Sequence, residues 1–230
     1  MEEIFGQIEQ ASRQFARHPF FHYLRSSEVA PLQRFAFARQ LTPWVLGFAD
    51  FCRDIVADEQ SEDLLQRQLN VHTREDQDHW RWFLQDVAAL DAARGAPPMS
   101  WSASVEFLWG PTTLAARRLT STCVGLGYGA SPLEKLVVLE SVEATNKVAL
   151  EAVQEAARAL ARETGIELVY LGEVHERAEQ GHTREHEEHG EVRALVLEDA
   201  RRVHMRSLIE RVFAAFDALM TELHAGCLDR

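Results

Sequence analysis

The chain has 230 residues, a formal net charge of -12 and 46% hydrophobic content. That length and apolar share suit one substantial core, so residues 1–230 are read as a single domain. The acidic balance argues against a nucleic-acid backbone or an anionic membrane surface as partner. The three cysteines, Cys52, Cys123 and Cys227, lack CxxC spacing and point to a reducing, cytoplasmic setting without a disulfide framework. The first residues, MEEIFGQIEQ, are acidic and unlike a secretory signal. No apolar run reaches the length of a membrane span.

Taken in order, residues 2 to 17 repeat apolar positions at helical spacing through Ile4, Ile8, Ala11 and Phe15, and break at His18-Pro19. Phe20, Phe21, Tyr23 and Leu24 predict a short helix packed on the core, with His18 and His22 as turn and surface residues. Ser27 and Pro31 predict the start of a helix to about Ala57, kinked near Arg39 to Pro43, where a proline removes a backbone donor. Ser61 is read as the start of a helix to about Arg94, on which Leu64, Leu65, His72, Glu75, His79, Trp82, Phe83, Val87 and Leu90 share a broad face. His72, Glu75 and His79 interrupt that apolar stripe and need partners, because an unpaired buried charge is costly. Asp76 and Asp78 are assigned to other, solvated faces.

Gly95 to Pro98 is the clearest breaker. Residues 95 to 111 form a connection with a short helix around Val105 to Leu108, and Trp101, Phe107 and Trp109 suggest that it packs over another element. Residues 112 to 128 read as a helix with Arg117 and Arg118 outside and Leu114, Leu119 and Cys123 packed. The GLGYG run at Gly125, Gly127 and Gly129 has no preceding strand, so close helix packing and a break at Gly129 explain it better than a dinucleotide loop. Ser131-Pro132 caps a helix that ends near Gly165, with Glu140 interrupting its apolar face and Glu143 one turn further on. Tyr170 to His189 contains no proline and predicts one helix. Its His175, Glu179, His182, His186 and His189 recur at helical steps and share one face. A last helix covers about 191 to 224, with Leu195 in its packing stripe and with His204 and His224 as ordinary residues.

No segment alternates at period two without also fitting a helix. The class is therefore all-α, a bundle of about seven helices. Three of the long helices carry inward polar residues: Glu75 and His79; Glu140; and His175, Glu179 and His182. Three carboxylates with three imidazoles form the donor set that suits a pair of ferrous ions, with open positions for dioxygen. Manganese fits the same donors.

At these positions the sequence resembles the heme-oxygenase-like diiron oxidases and oxygenases. The segment His18 to Phe21 is similar to that family's HPFF segment, and REDQDHWRWFLQDV to its Glu-plus-His ligand segment, pointing to Glu75 and His79. LESVEATNKV resembles its Glu-Ser segment, pointing to Glu140. YLGEVHERAEQGH resembles its His-x3-Asp-x2-His, pointing to His175, Glu179 and His182, with Glu179 one methylene longer than the usual Asp. His72 is the substitute for His79 where the spacing of that segment varies, and His186 and His189 extend the motif without an assigned role. The resemblance implies a single-domain heme-oxygenase-like bundle and a non-heme iron oxidoreductase. Two Fe(II) ions and dioxygen would oxidise a small, partly apolar substrate in a biosynthetic pathway, with no nucleic acid or membrane partner; a homodimer is compatible with it. Trp44, Phe48, Trp82, Phe83 and Tyr170 are the expected pocket walls. The competing readings are a thiaminase-like enzyme of the same fold and a non-catalytic helical protein binding a small molecule or a partner.

Overall fold

The computed structural model describes residues 1–175 and 190–228. Among the described residues there is no strand, and the protein is an all-α single domain. The helices are α1 (Glu2–Phe15), α2 (Pro19–Arg25), α3 (Pro31–Arg34), α4 (Thr42–Phe51), α5 (Leu64–Asp76), α6 (Trp80–Ala93), α7 (Trp101–Trp109), α8 (Leu114–Gly127), α9 (Pro132–Thr164) and α10 (Asp199–Leu228). A one-turn segment, Gly190–Arg193, precedes α10. None of these helices is long and apolar enough to cross a membrane.

The centre of the bundle is α9, against which α1, α2, α5, α8 and α10 all pack. Its start is written locally. Ser131 accepts the Glu134 N–H and the Glu134 carboxylate reaches back to the Ser131 N–H, a reciprocal capping box, with Pro132 in the first turn. Its end is equally local, at Gly165 with φ 74 in the left-handed region. Ser131→Ala is expected to cost about 1 kcal/mol of stability. Chemical denaturation should show this as a lower midpoint at unchanged slope, and a variant as stable as wild type would remove the cap from the account.

The stretch expected to be one kinked helix from 27 to 57 is instead a series of pieces: α3, a 3-10 turn at Ala38–Leu41, α4, and a single π turn at Cys52–Val56. Pro43 sits in the first turn of α4, where its missing N–H costs nothing. The π turn leaves the Val56 carbonyl inside the protein, where it accepts from Gln66 Nε2 at 2.8 Å and Lys135 Nζ at 3.0 Å. Gln66 Nε2 also donates to Asn70 Oδ1, while Asn70 Nδ2 donates to the Asp58 carbonyl. Burial pulls the Lys135 ammonium below its usual range, with Asp58 acting the other way. This polar clamp ties α4, α5 and α9 together, because buried polar groups are stable only when satisfied. It also sets how far α5 is rotated about its own axis. Gln66 meets Lys135, and further along both helices His72 approaches Glu143, so α5 and α9 run in the same direction.

Several expectations are corrected. The helix expected from 61 to 94 is two helices, α5 and α6, separated at Gln77–His79, and its cap is Asp63 rather than Ser61. Leu64 is 75% exposed, because it occupies the first turn and faces away from the core. The Tyr170–His189 stretch is not helical at its start: residues 165–172 are irregular and helix begins only at Glu173. Its later part, with Glu179, His182, His186 and His189, lies outside the described residues. The last helix begins at Asp199 rather than 191, and Leu195 lies in the exposed connection before it. Trp101 and Trp109, expected to pack, are 83% and 77% exposed. In the GLGYG run, a Cβ on Gly127 would press on Ile55 Cγ2 at 2.8 Å, so that glycine permits close packing.

Candidate metal centre

Three ligand-bearing side chains converge where α5 meets α9. His72, Asp76 and Glu143 place one potential ligand atom each within 4.8 Å of one another. His72 Nε2 is 3.1 Å from Asp76 Oδ2 and 3.7 Å from Glu143 Oε1, and His79 Nδ1 is 3.7 Å from Asp76 Oδ1. His72, Asp76 and His79 follow one another at steps of four and three, which keeps them on one side of the chain through the turn at Gln77–His79. Asp76, expected to be solvated, is only 4% exposed. Glu75, one residue earlier, points about 100° away around the helix and is exposed.

The fourth wall is the segment after α9. His175 is 5% exposed and its ring stacks on Tyr170 at 4.4 Å between centroids, with the His79 ring edge-on at 4.8 Å. His79 in turn stacks on Trp82 at 4.6 Å. His175 Nδ1 lies 2.9 Å from the Tyr170 carbonyl, which can only accept, so Nδ1 is the donor in this contact. That is the arrangement by which a ligating histidine is held in one tautomer and orientation.

Asp86 makes this wall rigid. From α6, with its side chain buried, it accepts the Val169 N–H at 2.6 Å and the Leu171 N–H at 2.7 Å. Burial pushes its carboxyl above the usual carboxylate range, while those N–H groups, that of Tyr170 and the nearby His175 pull back. Gly172 completes the turn, since a Cβ there would overlap the Leu168 carbonyl. Asp86 gave no sequence signal beyond being a polar residue on an apolar face. Asp86→Asn would turn an amide N–H₂ toward one of the two backbone donors, at a cost of about 2 kcal/mol. Urea unfolding and metal affinity should fall together; a variant with wild-type metal affinity would show that this loop does not position His175.

Between these elements lies a small cavity of about 20 Å³, room for an ion or a water. Asp76, His79, Glu143 and His175 line it, with Val45, Phe48, Leu150 and Tyr170 as apolar and aromatic walls. Of the side chains expected to wall the pocket, Phe48 and Tyr170 do so. Phe83 is fully buried behind Tyr170, Trp82 backs His79, and Trp44 packs into the core against Phe216. Of the expected ligands, His79 and His175 line the cavity; Glu140 lies one turn before Glu143 on α9 and is half-buried, and Glu75 is exposed. Glu179 and His182 lie outside the described residues. His72, weighed as the substitute for His79, is present in addition to it.

The electrostatics favour a positive charge among these groups. Burial lowers the His72 imidazole, but hydrogen bonds and charge from Asp76 and Glu143 outweigh it and hold the group at about 11. Without a metal, a proton on His72 therefore supplies the cation between two carboxylates. By contrast, burial alone pushes the Cys123 thiol up to about 12, the setting of a packed rather than a nucleophilic cysteine.

No known protein-family model and no curated protein matches this chain.

Proposed function

We propose that this protein is a non-heme iron oxidase or oxygenase that uses dioxygen on a small, partly apolar substrate. The observation that carries the reading is the convergence of the buried His72 and Asp76 with the half-buried Glu143, with His79 and His175 on the adjoining walls. Two carboxylates and two imidazoles around an ion-sized space, with the His72 imidazole against both carboxylates, are a donor set that fits iron, with manganese as the alternative. Asp76, Glu143, His79 and His175 would hold the metal, His72 would join them or neutralise a carboxylate, and Glu179 and His182 extend the set on the sequence evidence. Iron, when bound, supplies the redox steps and the activation of dioxygen. The chain's own groups hold and shield. The Tyr170 carbonyl keeps the His175 proton on Nδ1 and so presents Nε2. Asp86 fixes the segment that carries both residues. Val45, Phe48, Leu150 and Tyr170 limit water at the site and favour an apolar portion of the substrate.

A second reading has an observation of its own. The His72 imidazolium between Asp76 and Glu143 is a satisfied ion triad that needs no metal. Anaerobic loading with ferrous ion, followed by gel filtration, metal analysis and oxygen uptake, separates the two. The oxidase reading expects up to two irons per chain and oxygen consumption faster than that of free ferrous ion. Iron content equal to that of an Asp76→Asn, Glu143→Gln control would leave only the structural triad.

A further inference from the structure

We propose that α7 is the contact between two copies of this chain in a twofold-symmetric dimer. None of the nine residues of α7 is buried, although the helix is well formed. Ser100 caps its start by accepting the Ala103 N–H. At its end, Arg117 donates to the Leu108 and Gly110 carbonyls while Thr113 Oγ1 donates to Leu108. The helix is therefore held out from the bundle by its ends. Its outer face carries Trp101, Val105 and Trp109, with exposures of 83%, 41% and 77%. Two exposed tryptophans one helical repeat either side of an exposed valine form an apolar stripe that water does not favour.

Three features select a second copy as the occupant. The stripe is palindromic: Trp101 and Trp109 each lie four residues from Val105. Two antiparallel α7 helices on a twofold axis through Val105 would set Trp101 against the partner's Trp109, twice over, with valine against valine. Such self-complementarity is what an isologous interface requires. Charge points the same way. Residues 95–131 hold one acid, Glu106, and two bases, Arg117 and Arg118, a local balance of +1 in a chain of -12. Two copies of so acidic a protein meet less repulsion through a stretch of this balance than the chain's total charge would impose. The area is adequate for a modest dimer. Two largely exposed tryptophans with Val105 and the exposed Ser102, Glu106 and Thr112 amount to on the order of 500 Å² per copy. Both copies together reach about 1,000 Å², the lower limit for a specific interface.

Sedimentation of the full chain should move from monomer at about 1 μM to dimer at about 100 μM, as expected for a weak interface. Val105→Glu, which places two like charges on the axis, should weaken association at least tenfold while leaving the far-UV spectrum unchanged. A short bis-maleimide, which adds one cysteine thiol at each end, gives a geometric check, since the native cysteines are buried. Val105→Cys should crosslink to itself, and Trp101→Cys should crosslink to Trp109→Cys in a mixture but not to itself. A monomer at 100 μM, a dimer insensitive to Val105→Glu, or self-crosslinking of Trp101→Cys would each overturn the proposal. So would a chain that stays monomeric and instead binds phosphatidylcholine vesicles, which would make this face a lipid contact.

Discussion

Replacing Asp76 by Asn or Glu143 by Gln is expected to lower iron affinity by about 100-fold or more. Each change removes a donor from the group in which, among the described residues, α5 and α9 bring ligand atoms within 4.8 Å. Loss of groups that merely orient ligands already costs about 10- to 100-fold. The neighbouring substitutions Glu75→Gln and Glu140→Gln are the controls. Glu75 is exposed and Glu140 lies one turn from Glu143, so each should retain most of the wild-type affinity. Equilibrium titration of ferrous ion under anaerobic conditions, read by competition with a chromogenic chelator, orders the four variants. If Glu75→Gln proved as damaging as Asp76→Asn, the assignment of the inward face of α5 would be wrong.

His72→Gln should destabilise the metal-free protein by about 3 kcal/mol, because it leaves the buried Asp76 and the half-buried Glu143 carboxylates without their cation. The pH dependence fixes the cause. The folded state holds the His72 imidazole at about 11, above its ordinary value of 6.5. A base whose folded pKa is raised contributes stability that is complete below the unfolded value. That contribution is lost as pH rises toward the folded value. The gap between wild type and His72→Gln should therefore be widest near pH 6 and narrow steadily as the pH is raised. Urea denaturation of chelator-treated protein at a series of pH values measures it. A gap that stays constant with pH would mean that His72 acts through packing and not through charge. Bound metal supplies the positive charge in another form, so iron-loaded protein should show a smaller pH effect.

What the sequence determined is what local chemistry controls. The all-α class follows from helical periodicity, with no segment alternating at period two that does not also fit a helix. Ser131-Pro132 and Gly165 marked both ends of α9, because capping hydrogen bonds and a left-handed backbone are properties of a few adjacent residues. The chain segments that meet at the site were also legible: residues 72–79, the Glu140–Glu143 region and His175 stand out as polar groups on apolar faces. Which carboxylate of each neighbouring pair turns inward was not legible. Glu75 and Asp76 both fall between His72 and His79 at spacings a helix face allows, and Glu140 and Glu143 lie within about 60° on α9. The rotation of α5 decides between the first pair, and that rotation is set by the Gln66, Asn70 and Lys135 clamp on the Val56 carbonyl, a contact between residues up to 79 positions apart. The break at Gln77–His79 was equally hidden, since no proline or glycine marks it. The irregular segment before His175 was read as helix for the same kind of reason. Asp86 captures its backbone N–H groups from a helix 83 to 85 residues away, and a tertiary hydrogen-bond partner for the backbone leaves no trace in local periodicity.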